Sequence, residues 1–283
     1  MKLIQQIDGL LDEIAAWFAV YFSTKVNAQV KRSVLKVLEE VDFTDRTITG
    51  RLKRQRALNK IRETIVSELG DNKGALLMGV KEFADKYKEL VALANIYFSA
   101  LSITYKKELY RELYKDSLLV LKDSLINRGF RQKVANDIVD HLVTMNKQGY
   151  RKAQMTEWVR NYLIGQNQTT RYAANIASDT LYTMTRIIQN RVSEDLNVKY
   201  WLYAGTLIKT SRTFCTNRTG RAFTTEAVKA WVSIKWDGKM AGTDTTNIFE
   251  RLGGYGCRHT LRPISKITYD YINKRYEDNT KAA

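Results

Sequence analysis

Two cysteines and a histidine lie in the last third of the chain: Cys215, Cys257 and His259. These residue types can bind a soft metal ion, act as nucleophile and base, or pack. As zinc ligands they form an incomplete set, because structural zinc takes four ligands, usually with a paired motif at each end. Cys257-Arg258-His259 supplies one pair, but Cys215-Thr216-Asn217-Arg218 offers no second ligand beside Cys215. An acid or a water would have to complete the site. As a cysteine–histidine nucleophile pair they would need a third, orienting group, and no motif supplies one. As small apolar residues, the two cysteines would hold both ends of a loop together. This last reading is preferred: no metal, cofactor or catalytic residue is assigned, and zinc at Cys215, Cys257 and His259 remains the alternative. No paired-carboxylate motif, phosphate loop or Ser/His/Asp signature accompanies them, so the chain is not read as an enzyme.

Arginines surround this segment. Arg212, Arg221 and Arg258 could each make a planar, bidentate contact with a phosphate or carboxylate; Arg258 could equally clamp its own loop to the strands. A second basic group runs from Arg51 to Arg62 and includes Lys53, Arg54, Arg56 and Lys60. It reads first as a solvated helix face, with a nucleic-acid or acidic-protein contact as the sharper alternative. The net charge is +16. From Leu196 to Ala283 there are 15 Lys/Arg against 7 Asp/Glu, and the preceding 195 residues hold 31 against 23. The C-terminal part is therefore about twice as densely charged, which favours polyanion partners through phosphate contacts and counterion release.

The elements that must position these residues fall into two kinds. Up to about Val192 the pattern is helical. Leu109, Leu113, Leu118, Leu121 and Leu125 form one stripe, expected to end at Asn127-Arg128-Gly129 with Gly129 as C-terminal cap. Val134, Ile138, Leu142 and Met145 form the next, ending at Gly149; His141 beside it is read as structural. Met155, Trp158, Val159, Tyr162 and Leu163 form a third, stopped by Gly165, and Ile176, Leu181, Met184, Ile188 and Val192 a fourth. Ile4 to Leu35 reads as one or two helices with a break at Asp42-Phe43-Thr44-Asp45. Ala75 to Ser99 is again helical. A single proline in 283 residues suits long helices, since an interior proline costs a helix about 3 kcal/mol.

After about Leu196 the character changes. Tyr200 to Tyr203 reads as a strand broken by Gly205, and Arg221 to Thr224 as a second short strand after the Thr219-Gly220 turn. Thr224 or Thr225 would cap a short helix containing Ala227, Val228 and Trp231. Residues 232–258 read as a long ordered loop, Pro263 closes it, and a basic helix from about Lys266 to Tyr276 follows. Trp231, Trp236 and Tyr255 are expected in a small core. Seven of the fifteen glycines lie between Gly205 and His259. The expected fold is mainly α: an elongated N-terminal helical arm or bundle over residues 1–168, then a small α+β, glycine-rich domain over 169–283.

An apolar fraction of 44% supports a real core and excludes a disordered chain. Two cysteines do not make a disulfide framework. The apolar stretch Ile14 to Phe22 is too short to cross a bilayer, which takes about 20 residues. It reads as a buried helix face, and synthesis in a reducing cytoplasm is expected.

The order of elements resembles a known family. A helix with Ile176-Ala177-Ser178-Asp179-Thr180 precedes the aromatic stretch Lys199-Tyr200-Trp201. Then come Arg212-Thr213-Phe214-Cys215, the turn and strand Gly220-Arg221-Ala222-Phe223, and the closing Gly256-Cys257-Arg258-His259. This is similar to the C-terminal domain of phage head morphogenesis proteins, the family named for the phage Mu F protein. It covers about residues 170–265. Arg212, Cys215, Gly220, Arg221, Phe223, Cys257, Arg258 and His259 match the family's motif positions. Asp179 falls one place short of the family's Glu, and Gly256 stands where Asn is common. The resemblance implies a structural minor head protein of a tailed phage, present in several copies per particle. Its implied partners are the portal protein, the major capsid protein, or both, and the packaged DNA, with no membrane. Its implied places are the virion head and, during assembly, the host cytoplasm. Such a protein assists head morphogenesis and genome packaging or ejection. The alternatives are a basic nucleic-acid-binding protein or a toxin-like enzyme.

Overall fold

The computed structural model describes residues 2–42, 48–71, 73–101, 115, 119, 122–164 and 168–281. The fold is mainly α, with a long N-terminal helical region and a small three-stranded sheet near the C-terminus. The helices are α1 (Lys2–Tyr21), α2 (Asn27–Glu39), α3 (Ile48–Gly70), α4 (Ala75–Ala100), α5 (Arg128–Lys147), α6 (Lys152–Tyr162) and α7 (Gln168–Asp195). After them come β1 (Tyr200–Gly205), α8 (Thr213–Thr216), β2 (Ala222–Thr224), α9 (Thr225–Ala230), α10 (Ile248–Arg251), β3 (His259–Pro263) and α11 (Lys266–Lys281). The chain forms two compact units. One comprises Ala15–Asp85 with Leu119–Ala177; the other gathers Met1–Ile14, Lys86–Leu118 and Ser178–Ala283.

The first unit is helical, and its apolar stripes do the packing. Leu58, Ile61, Ile65 and Leu69 of α3 are buried, as are Val134, Ile138, Leu142 and Met145 of α5 and Met155 and Val159 of α6, with Leu163 just beyond. Each set repeats at three- and four-residue spacing, which lines one face of a helix. Phe18 meets Phe83 edge-on at 5.6 Å between ring centroids, and Phe22 meets Phe130 in the same way at 6.1 Å. A π-helical turn, Phe22–Val26, joins α1 to α2. There Ser23 and Thr24 donate to the carbonyl of Val20, a side-chain competition that loosens the local ladder. His141 is exposed and stacks on Trp158 at 4.0 Å.

One boundary differs from the expectation. Asn127 is the N-cap of α5, accepting a hydrogen bond from the Phe130 N–H, and Gly129 lies inside the first turn. An asparagine carbonyl satisfies an orphan amide at a helix start, and that preference overrides the glycine's suitability for a C-terminal cap. The stripe positions Leu109, Leu113, Leu118 and Leu121, the break at Phe43-Thr44-Asp45 and the stop at Gly165 lie outside the described residues; Leu125 is buried.

The second unit holds the sheet, in the order β2-β1-β3, with both pairs antiparallel. Trp201 lies opposite Phe223 and Pro263, and Gly205 lies opposite His259. β1 and β2 fall where the aromatic and β-branched runs predict, and Thr224 caps α9 by accepting from the Ala227 N–H at 3.2 Å. The expected loop over 232–258 also contains α10, and β3 takes the place of a simple closing turn. The core is Trp201, Tyr203, Phe214, Val228, Trp231, Ile248, Phe249, Leu252 and Leu261 with both cysteines. Trp231 is in it and Trp236 packs against it, stacked on Phe214 at 4.1 Å. Tyr255 is 60% exposed, so it belongs to the surface and not to the core expected from sequence.

Polar pins join this module to the other parts of its unit. The Arg262 side chain has 0% exposure and pairs with Asp8 at 2.6 Å. The hydroxyl of Tyr97 donates to the carbonyl of Pro263. Asp12 accepts from Tyr182 at 2.6 Å and from Thr206 at 3.2 Å.

Candidate functional site

The residues singled out by type meet at one buried point. The ligand atoms of Cys215, Cys257 and His259 all lie within 4.8 Å of one another, and all three residues are buried. Three separate elements deliver them. The single turn of α8 places Phe214 and Cys215 inward. The glycine-rich loop delivers Cys257. His259 opens β3, and its pairing with Gly205 sets its height on the sheet. Gly205 has a φ of +142°, and a β-carbon there would stand 2.7 Å from the Arg258 carbonyl. The glycine therefore allows β3 to approach closely and the imidazole to lean over it toward Tyr203, two residues back on the same face. The two rings stack at 5.2 Å.

Tyr203 completes the cluster. Its hydroxyl donates to the sulfur of Cys215 at 3.3 Å and lies 3.9 Å from that of Cys257. The two sulfurs are 3.9 Å apart, and the Cys257 sulfur is 3.8 Å from Nδ1 of His259. Both thiols are free. The Cys215 S–H, then His259 and Arg186, hold the Cys257 thiol well below the ordinary thiol range against the opposing effect of burial. The same contact with Cys257, together with burial, pushes Cys215 up. Nε2 of His259 is buried without a hydrogen-bond partner, whereas the histidine of a thiol nucleophile is oriented by a third group.

Main-chain carbonyls fix the loop that carries these residues. Arg186 of α7, 4% exposed, donates to the carbonyl of Cys257 at 3.1 Å and to that of His259 at 3.2 Å, bracketing the Cys-x-His segment. Arg212 donates to the carbonyls of Gly253 and Tyr255, at 3.4 and 2.6 Å, and Trp236 Nε1 donates to Gly253 at 3.2 Å. Gly253 lies over the thiols: a β-carbon there would be 2.6 Å from the Cys215 sulfur and 2.9 Å from that of Cys257. A cavity of about 300 Å³ adjoins the cluster, walled by Arg212, Cys215, Asp237, Cys257, Arg258 and His259.

The remaining motif residues are spread around the module. Gly220, with a φ of +80°, makes the turn into β2 and donates to the carbonyl of Tyr203. Arg221 lies 4.3 Å from the Tyr276 ring and Phe223 meets Trp231 edge-on, so both serve packing. Arg258 is half-buried on the cavity wall. The basic run is not gathered here: it belongs to α3, where Lys53 and Arg56 are exposed and Arg54 is half-buried. Lys60 pairs with Glu40 and Arg62 with Asp140. The side chain of Arg51 lies outside the described residues.

Three residues in or around the cluster escaped the sequence reading. Tyr203 was visible only as a strand aromatic. Arg186 carried a signal, a charge between Met184 and Ile188 on a face that is otherwise buried. Arg218, whose guanidinium lies 3.8 Å from the Phe214 ring and 4.8 Å from that of Trp231, carried none.

No protein-family model, no curated protein and no solved structure matches the chain. Among the described residues no helix is long and apolar enough to cross a membrane.

Proposed function

We propose that the chain is a structural minor head protein of a tailed phage, associated with the portal or the inner capsid and assisting head assembly and genome packaging or ejection. The observation that carries this reading is the interlock of the motif segments on which the resemblance rests. Arg212, from the first segment, donates to carbonyls of the loop leading into the closing segment, and Cys215 of the first meets Cys257 of the closing one. Segments separated by about forty residues thus act as one folded module, as a family signature requires. The net charge of +16 suits a protein that works beside packaged DNA, where lysines and arginines replace condensed counterions. In this role the module docks to a partner and performs no catalysis.

The test is to count the chain by mass spectrometry in empty proheads and filled particles of the source phage. A few to some tens of copies per particle, present before packaging, is the expected result. Absence from both particles overturns the reading. The charge also favours a second reading, a basic nucleic-acid-binding protein outside any particle. Its mark would be DNA affinity falling with salt at a log–log slope of about −0.9 per phosphate contacted.

A further inference from the structure

We propose that Cys215, Cys257 and His259 bind one zinc ion. The inference does not depend on the phage reading. A tetrahedral zinc ion with Zn–S bonds of about 2.3 Å holds its two sulfurs about 3.8 Å apart, and a sulfur and an imidazole nitrogen about 3.6 Å apart. The separations in the protein are 3.9 Å for Cys215 Sγ to Cys257 Sγ and 3.8 Å for Cys257 Sγ to His259 Nδ1. Two of the three donor pairs thus stand at the spacing the ion needs, and all three ligand atoms lie within 4.8 Å of one another. Two sulfurs and one imidazole are also the donor set that favours zinc among the common divalent ions.

Burial points the same way. The His259 residue is 3% exposed, Cys215 2% and Cys257 4%. Among the described residues the imidazole's one hydrogen-bond partner is a sulfur at 3.8 Å, a weak match for a buried ring nitrogen. A metal ion at the centre of the three atoms satisfies that nitrogen and both sulfurs together. Binding takes the two thiolates and neutral imidazole and releases the thiol protons to solvent.

The surroundings are those of a prepared ligand set. Tyr203 donates to the Cys215 sulfur, and Arg186 ties down the carbonyls on either side of Arg258. Outer contacts of this kind orient ligands and tune their affinity. All three residues line the 300 Å³ cavity, which offers room for a water molecule as the fourth ligand. This supplies the ligand missing from the sequence pattern. The ion would join α8, the glycine-rich loop and the start of β3 in a module with a small core.

The full-length chain, purified under reducing conditions without chelator, is expected to carry about one equivalent of zinc by elemental analysis. After removal of the zinc, cobalt(II) should restore the site and show thiolate-to-metal charge transfer with the strong visible bands of a four-coordinate ion. Cys215→Ser and Cys257→Ser should each cut zinc affinity at least about tenfold. The wild-type cobalt spectrum decides the matter if those variants fail to fold. The proposal is overturned by wild-type protein that takes up less than a tenth of an equivalent of either metal. It is equally overturned by zinc retained in the Cys215→Ser/Cys257→Ser double variant, or by a Cys215–Cys257 disulfide in protein kept reduced throughout.

Discussion

The helical unit and the sheet module solve the same problem with different means. In the helical unit the backbone satisfies its own polar groups along each helix, so side chains need only be apolar at the right period. Leu58, Ile61, Ile65 and Leu69 meet that demand, and other apolar residues of similar volume could replace them. In the module, the long segment between α9 and β3 has few ladder bonds of its own. Buried carbonyls there must find partners, and Arg186, Arg212 and Trp236 provide them. Stability in one region comes from many interchangeable contacts, and in the other from a few specific donors. Substitutions should therefore be graded by volume in the first region and by polar chemistry in the second.

The two largest expected effects test that contrast directly. Phe18 is fully buried and packs on Phe83. Phe18→Ala should destabilise the helical unit by about 3–5 kcal/mol, while Phe18→Leu costs much less. Hydrogen exchange resolved by segment should show the lost protection in residues 15–85, with zinc content unchanged. In the other unit, Asp8→Ala strips the partner from a guanidinium with no exposure. A buried, unpaired charge of this kind costs about 3–5 kcal/mol. Replacing both partners, as in Asp8→Leu with Arg262→Met, should recover most of the loss. If the single and double variants are equally unstable by denaturant titration, the module is governed by volume after all, and the comparison fails.

Gly253→Ala sharpens the comparison at lower cost. The added methyl would stand 2.6 Å from the Cys215 sulfur, and the loop must lift to make room. Overpacking of this size costs about 1–3 kcal/mol. The lift should also separate Cys257 from Cys215, so zinc affinity should fall further than global stability does. Isothermal titration with zinc, set beside a denaturation curve of the same variant, separates the two effects. Equal losses in both would make Gly253 a packing residue only.

These differences also explain what could be read in the sequence. Stripes at helical period are local, so Val134, Ile138, Leu142 and Met145 announce α5 without reference to the rest of the chain. β1 and the Thr224 cap are local in the same way. β3 is not: His259 to Pro263 becomes a strand because it pairs with β1 more than fifty residues earlier. α10 lies in a segment whose glycines and polar residues suggest loop alone. The candidate site was legible as a list of residue types, with Cys215, Cys257 and His259 recognisable as metal-binding kinds. Their convergence was not, because it depends on the register of β3 and on a helix arginine seventy residues away. The cavity beside the three residues was equally hidden, because its walls come from segments far apart in sequence.

The smallest expected effect is a control in which the two regions should agree. Asn127 caps α5 by accepting from the Phe130 N–H at 2.8 Å, and Thr224 caps α9 by accepting from Ala227 at 3.2 Å. Each bond satisfies one orphan amide in the first turn, a local matter that owes nothing to the surrounding architecture. Asn127→Ala and Thr224→Ala should therefore each cost about 1 kcal/mol, and Asn127→Asp should keep most of the stability. Neither should change zinc content, since neither touches the cluster. If Thr224→Ala costs several times more than Asn127→Ala, or releases zinc, then α9 is coupled to the thiols through Trp231 and Phe214. The module's specific contacts would then extend beyond the loop to its helices.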